Sequence, residues 1–258
     1  MIRKCAAATL VLMLLAGACT PDAERASRSD QPAENTSDPT ESANDAPVYA
    51  AVGASETAGW GARNPSTEAW PQVLGDSALP RFEIVNLGIP GATVQDALAR
   101  ELPKLRDAEP ELVTVWLNAN DILRGITLED YERGLDRLLR GIQETQPRQV
   151  LVANTPPLDA LPAYRACRPN PPEEGPFCFL GESLPSPRAM RTLVERFNVV
   201  IDQVVERRDA TLVDLFSGAL EAQREGTDAN LVSRDGLHPS TEGHHAIAEW
   251  FANELERP

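Results

Sequence analysis

Short apolar runs recur along the chain, and helical stripes fill the intervals between them. Val48 to Val52 is the first run, ending at Gly53. Similar runs follow at Phe82 to Leu87, Leu112 to Leu117, Val150 to Asn154 and Thr211 to Leu215. Runs of this length, bounded by turn residues, predict buried strands. Between them apolar positions fall three and four apart. Val94, Leu98, Leu102 and Leu105 make one stripe, and Leu128, Tyr131, Leu135, Leu138, Leu139 and Ile142 a second. Met190, Leu193, Val194, Phe197, Ile201, Val204 and Val205 make a third, and Ile247, Trp250, Phe251 and Leu255 a short last one. That spacing puts each set on one helix face. Thr127 and Asp130 predict a capping box at the start of the second helix. Strands alternating with helices predict an α/β fold, a three-layer α/β/α sandwich on a five-stranded parallel sheet. Ligands of such sheets bind beyond the carboxyl ends of the strands, so the residues just after each run are where chemistry is expected.

The periodic pattern begins only at Pro47. Arg3 and Lys4 precede a short apolar stretch, Cys5 to Leu15, and then the small residues Ala16-Gly17-Ala18. This is the layout of a secretory signal, and residues 1–18 are expected to be one. The stretch falls short of the roughly 20 apolar residues of a membrane span. Cys19, directly after the small residues, resembles the lipidated cysteine of a bacterial lipobox, with Ala16 where the lipobox usually has Leu. An ordinary cleavage site and an uncleaved anchor are the alternatives. The protein is therefore expected to be exported, and either lipid-anchored to the outer face of a bacterial membrane or secreted. Residues 19–46 are rich in Asp, Glu, Ser, Thr, Ala and Pro and hold no large apolar side chain. They cannot bury enough surface to offset the entropy of ordering, and read as a disordered tether to a domain over 47–258.

Composition narrows the partners. A net charge of −15 argues against a nucleic-acid binder, whose surface would be basic. With Cys5 in the signal and Cys19 at the lipid site, Cys167 and Cys178 remain. In an exported chain that pair is most simply a disulfide, worth about 3 kcal/mol for so short a loop; two free thiols are the alternative.

Four blocks follow the runs. They are Gly53-Ala54-Ser55-Glu56-Thr57, Asn86-Leu87-Gly88-Ile89-Pro90-Gly91-Ala92-Thr93, Asn118-Ala119-Asn120-Asp121, and near the end Asp235-Gly236-Leu237-His238-Pro239. Acyl transfer needs a nucleophile, a base, a group that orients the base, and donors for an oxyanion. Ser55 sits where a turn is expected to leave a strand and enter a helix, and Gly53 frees that turn. His238 is the natural base, and Asp235 lies three residues earlier in the same loop. Each residue also has a plainer reading: Ser55 as a helix cap, Asp235 and His238 as surface residues, Gly88 and Asn120 as turn residues. Together and in this order the blocks resemble the SGNH/GDSL hydrolase family of esterases and lipases, from about Tyr49 to the C-terminus. The resemblance implies a flavodoxin-like arrangement and a serine esterase or lipase that hydrolyses carboxylic esters through an acyl-enzyme. It implies Ser55, Asp235 and His238 as the catalytic triad, and the Ser55 and Gly88 N–H groups with the Asn120 amide as the oxyanion hole. It requires no cofactor and no metal, and its partner is a small-molecule ester. Two departures stand out. Ala54 replaces the family's usual Asp, which implies an altered hydrogen-bond network in the nucleophile loop. Asn118 replaces its usual Gly, which is expected to narrow the cleft or reshape the loop. These departures keep open a non-catalytic ligand-binding lipoprotein on the same fold.

Three further features bear on the site. Residues 155–187 form a Pro-rich insertion holding the Cys pair, expected to overhang the active-site edge either as a stapled lid or acyl-pocket wall or as a stiffened surface excursion. His244 and His245, with Asp235 and His238, raise a metal-dependent hydrolase, but the spacing fits no trusted ligand motif. Trp60, Trp70, Trp116 and Trp250 are expected in the core, Trp60 with pocket lining as its alternative.

Overall fold

The computed structural model describes residues 46–181 and 184–256. The signal at 1–18, Cys19 and all but the last residue of the 19–46 tether lie outside the described residues.

In chain order the elements are β1 (Val48–Gly53), α1 (Pro65–Glu68), α2 (Trp70–Ala78), β2 (Glu83–Asn86), α3 (Val94–Arg100), α4 (Leu102–Ala108), β3 (Leu112–Trp116), α5 (Ala119–Leu123), α6 (Leu128–Gln143), β4 (Gln149–Ala153), α7 (Pro162–Ala166), α8 (Pro187–Arg207), β5 (Thr211–Val213), α9 (Leu215–Glu225) and α10 (Thr241–Asn253). The five strands form one parallel sheet in the order β2-β1-β3-β4-β5. Its strands read as unbroken apolar runs because both faces are covered. Along β1 the side chains alternate. Ala50 and Val52 join Val113, Val115, Val150 and Val152 under α3, α4, α6 and α8. Tyr49 and Ala51 point the other way, with Leu112 and Leu151, toward α2 and α10.

Local chemistry moved several boundaries. The stripe from Val94 to Leu105 is two helices, because Pro103 lacks an N–H and begins a new helix at its second position. Thr93 and Asp96 make a complete capping box for α3. At α6, Thr127 accepts from the Asp130 N–H, but the Asp130 carboxylate turns to the Thr127 hydroxyl, 2.7 Å away. The fifth run stops at Val213 because Asp214 caps α9, accepting from the Ser217 N–H at 3.0 Å. The expected helix after Ser55 is absent. Residues 54–62 are a series of turns, broken where Gly59 and Gly61 take positive φ.

The two ends of the domain are joined on the α2–α10 face. Trp70 stacks on Phe251 with ring centroids 4.3 Å apart. Fully buried His244 bridges the segments: its Nδ1 accepts from the Trp70 N–H at 3.2 Å and its Nε2 donates to the Trp60 carbonyl at 3.0 Å. Burial holds its pKa below the ordinary histidine value, in keeping with a neutral ring. Gly61 is where the early turns meet the late loop. It sits at φ 92°, and a Cβ there would lie 2.0 Å from the Pro239 carbonyl oxygen. Only glycine permits that approach, and Pro239 follows His238 directly.

Candidate active site

Ser55 lies two residues beyond the end of β1, and Asn120 lies in the first turn of α5, just beyond β3. β1 and β3 are neighbours at the point where the chain, having placed β2 on one side, crosses to the other. Sheets of this order bind ligands at that reversal. The loop before α10 brings the last block to the same place. The His238 Nε2 lies 3.0 Å from the Ser55 Oγ, across 183 residues of sequence. The His238 Nδ1 lies 2.6 Å from the Asp235 Oδ2. Both Ser55 and His238 are 6 % exposed.

The Asp235 carboxylate is held from several sides. Its Oδ1 accepts from the Ser233 hydroxyl at 2.8 Å, the Leu237 N–H at 2.8 Å and the His238 N–H at 2.9 Å. Partial burial works to raise its pKa, but the bonds from the imidazole, these N–H groups and the hydroxyl outweigh it, and the pKa falls below the usual aspartate value. An ionised Asp235 keeps the proton of His238 on Nδ1 and leaves Nε2 as the acceptor for the Ser55 hydroxyl. The hydroxyl has a second acceptor in reach, the Glu56 Oε2 at 3.3 Å.

The oxyanion donors need one correction. The Gly88 N–H donates to the Asn86 Oδ1 at 3.0 Å. A Cβ at Gly88 would stand 2.6 Å from the Ala58 nitrogen. Gly88 is glycine so that the second block can pack against the nucleophile turn, and its N–H is already spent. Gly91, three residues on in the same block, lines the cleft with Ser55, Trp60, Asn120 and His238. Asn120 uses one amide proton on the Ala92 carbonyl at 3.1 Å and has a second.

Both departures from the family pattern have local answers. Ala54 is 3 % exposed and belongs to the core. The carboxyl of the nucleophile loop comes from elsewhere: Glu101, fully buried between α3 and α4, accepts from the Gly53 N–H at 2.8 Å through Oε2. Among the described residues its Oε1 has no partner. Burial pushes its pKa up to about 8 against the pull of that bond. Sequence reasoning missed Glu101; a charged residue inside the apolar stripe from Val94 to Leu105 was the available signal. Asn118 does not narrow the cleft. It is buried and donates to the Ala153 carbonyl at 3.3 Å. Asp121, in the third block, has a structural task. It is 1 % exposed and accepts from the Val94 N–H at 3.2 Å, which ties the third block to the second; burial raises its pKa to about 6.

Trp60 is not core. It is 51 % exposed, with its ring centroid 5.3 Å from that of His238. Trp70 and Trp116 are buried. His244 has both ring nitrogens engaged and so does not stand with His238 as a ligand. Cys167 and Cys178 form a disulfide. The insertion they staple packs on the last block, where the Ala163 N–H donates to the Gly236 carbonyl at 3.0 Å.

A parallel sheet that carries a serine, a histidine and an ionised aspartate in hydrogen-bonded sequence at its reversal point defines a hydrolase of the serine type. Residues 51–246 match the model of the GDSL-like Lipase/Acylhydrolase family. The chain belongs to that family and is a serine ester hydrolase. It is similar to a thioesterase 1/protease 1/lysophospholipase L1 of Escherichia coli K12, with 26 % identity over 80 % of this chain and 81 % of the relative. An arylesterase of Vibrio mimicus is also 26 % identical, over 79 % and 86 % of the two chains. Among solved structures a lipase/acylhydrolase from Enterococcus faecalis shares the fold, with a TM-score of 0.61 at 20 % identity over 81 % of this chain and 94 % of the other.

Proposed function

We propose that the protein hydrolyses carboxylic esters through an acyl-enzyme on Ser55. The observation that carries this is the continuous line from Asp235 through His238 to the Ser55 hydroxyl. As Ser55 Oγ attacks the carbonyl carbon, its proton passes to His238 Nε2, and ionised Asp235 stabilises the imidazolium. The carbonyl oxygen becomes an oxyanion. Three donors serve it: the N–H groups of Ser55 and Gly91, which have no partner among the described residues, and the second amide proton of Asn120. Each such donor is worth about 3 kcal/mol in the transition state. His238 then gives its proton to the departing alkoxide, so an alcohol leaves and the acyl group stays on Ser55. Water repeats the sequence: His238 takes its proton, the new oxyanion collapses, and the acid departs as Ser55 recovers its hydrogen.

A fluorophosphonate probe tests this. Wild type is expected to be labelled stoichiometrically at Ser55 and to turn over p-nitrophenyl acetate, and Ser55→Ala to do neither. A folded wild type that resists the probe would point instead to a ligand-binding protein on this fold. We also infer that the chain is exported and lipidated at Cys19; the leader composition and the small residues before Cys19 support this.

A further inference from the structure

Resting on the acyl-enzyme reading, we propose that a second chamber beside the cleft takes the acyl chain, and that the substrates are esters of medium-chain fatty acids. The chamber has a volume of about 440 Å³. Leu158, Leu161, Leu215, Leu237, Ile247 and Trp250 supply apolar wall. Glu56, Ala119 and Leu237 line both this chamber and the nucleophile cleft, so the two adjoin one residue from Ser55. Arg165 and Arg234, two of its charged lining residues, are exposed and keep their charges in solvent at the rim.

The division of labour follows from the order of the reaction. The alcohol must leave before water can attack, and its oxygen must reach His238 Nε2. That flank carries half-exposed Trp60 beside the His238 ring. The acyl group must stay in place through both steps, and the apolar chamber suits the part that stays. Its outer wall is built from this chain's own insertion. Pro156, Pro157 and Pro162 line it, and the disulfide from Cys167 to Cys178 holds Gly175 and Pro176 against it. An acetyl group has no methylene to bury against these walls. Each further methylene that enters exchanges water for apolar surface, at about 0.8 kcal/mol per buried CH₂, which converts to about fourfold in kcat/KM.

The test is a p-nitrophenyl ester series from acetate to octanoate, run on the full chain beside Ala219→Phe and Ala222→Phe. Both alanines line the chamber away from the triad, and their larger side chains fill it. In wild type kcat/KM is expected to climb by up to about fourfold per methylene. In each filled variant the octanoate-to-acetate ratio is expected to fall at least about tenfold, with fluorophosphonate labelling of Ser55 reporting an intact fold. A flat or falling series in wild type, or filled variants that label normally and keep the wild-type ratio, overturns the proposal. Equilibrium binding of methyl octanoate to Ser55→Ala separates the two readings, since it needs no turnover. Binding that the added Ala219→Phe change abolishes supports the chamber even if the acyl-enzyme fails. No binding, or binding that change leaves intact, counts against the chamber alone.

Discussion

Asp235 orients the imidazole and stays charged, so replacing it tests geometry and charge together. Asp235→Asn can still meet the ring, but favours the tautomer with its proton on Nε2, where the base is needed. Its kcat is expected to fall by about 10³- to 10⁴-fold with little change in melting temperature, measured on p-nitrophenyl acetate. Glu101 makes a different kind of prediction. Unfolded, its carboxyl ionises near 4.5; folded, it keeps its proton to about 8. Between those values the folded chain binds more protons than the unfolded one, so stability declines as pH rises. The contribution is complete below 4.5 and is lost once pH passes 8, at about 1 kcal/mol per unit in between. Denaturation midpoints at pH 5 and pH 9 should therefore differ less in Glu101→Gln than in wild type, because the amide oxygen still accepts from Gly53 but does not titrate. Glu101→Leu leaves that buried N–H unpaired and is expected to cost about 1–3 kcal/mol at both. Along the chain the one signal was a charged residue inside an apolar stripe, which gave no partner. The replacement at Ala54 announced a changed network, but the residue that rebuilds it lies 48 positions away from Gly53.

Between elements, the decisive contact is the approach of the early turns to the loop before α10. Gly61→Ala puts a methyl against the Pro239 carbonyl and strains the backbone at φ 92°. The displaced His238 is expected to lower kcat by about a hundredfold, more than any accompanying loss of stability would explain at a temperature where the variant is fully folded. The insertion offers a parallel test. Removing the disulfide with Cys167→Ser and Cys178→Ser frees a loop closed over a separation of 11 residues. A loss of about 3 kcal/mol is expected in denaturant titrations. Strand positions and helix faces were legible because each is set by neighbours within a few residues. The turns after Ser55 were not, because the helix expected there is prevented by glycines whose conformations serve distant partners.

At the level of the molecule, the predicted export and anchoring make a simple claim. Metabolic labelling with an alkyne fatty acid should mark wild type in a bacterial host and leave Cys19→Ser unmarked; equal labelling of both would remove the anchor from the account. Local spacing carried the α/β/α sandwich and the parallel sheet, and the order of four short blocks, through their resemblance to the family, grouped Ser55, Asp235, His238 and Asn120 as candidates. Those features depend on residue type and short-range periodicity, which the chain displays directly. Proposing Gly91 in place of Gly88 as an oxyanion donor waited on the fold, since both glycines sit in one block and only the path of the backbone shows which N–H is already bonded to Asn86. The same holds for Glu101 beneath the nucleophile turn, for Trp60 at the rim, and for the apolar chamber behind Leu237. Each arises where segments far apart in sequence pack together, and no local pattern records which segments those will be.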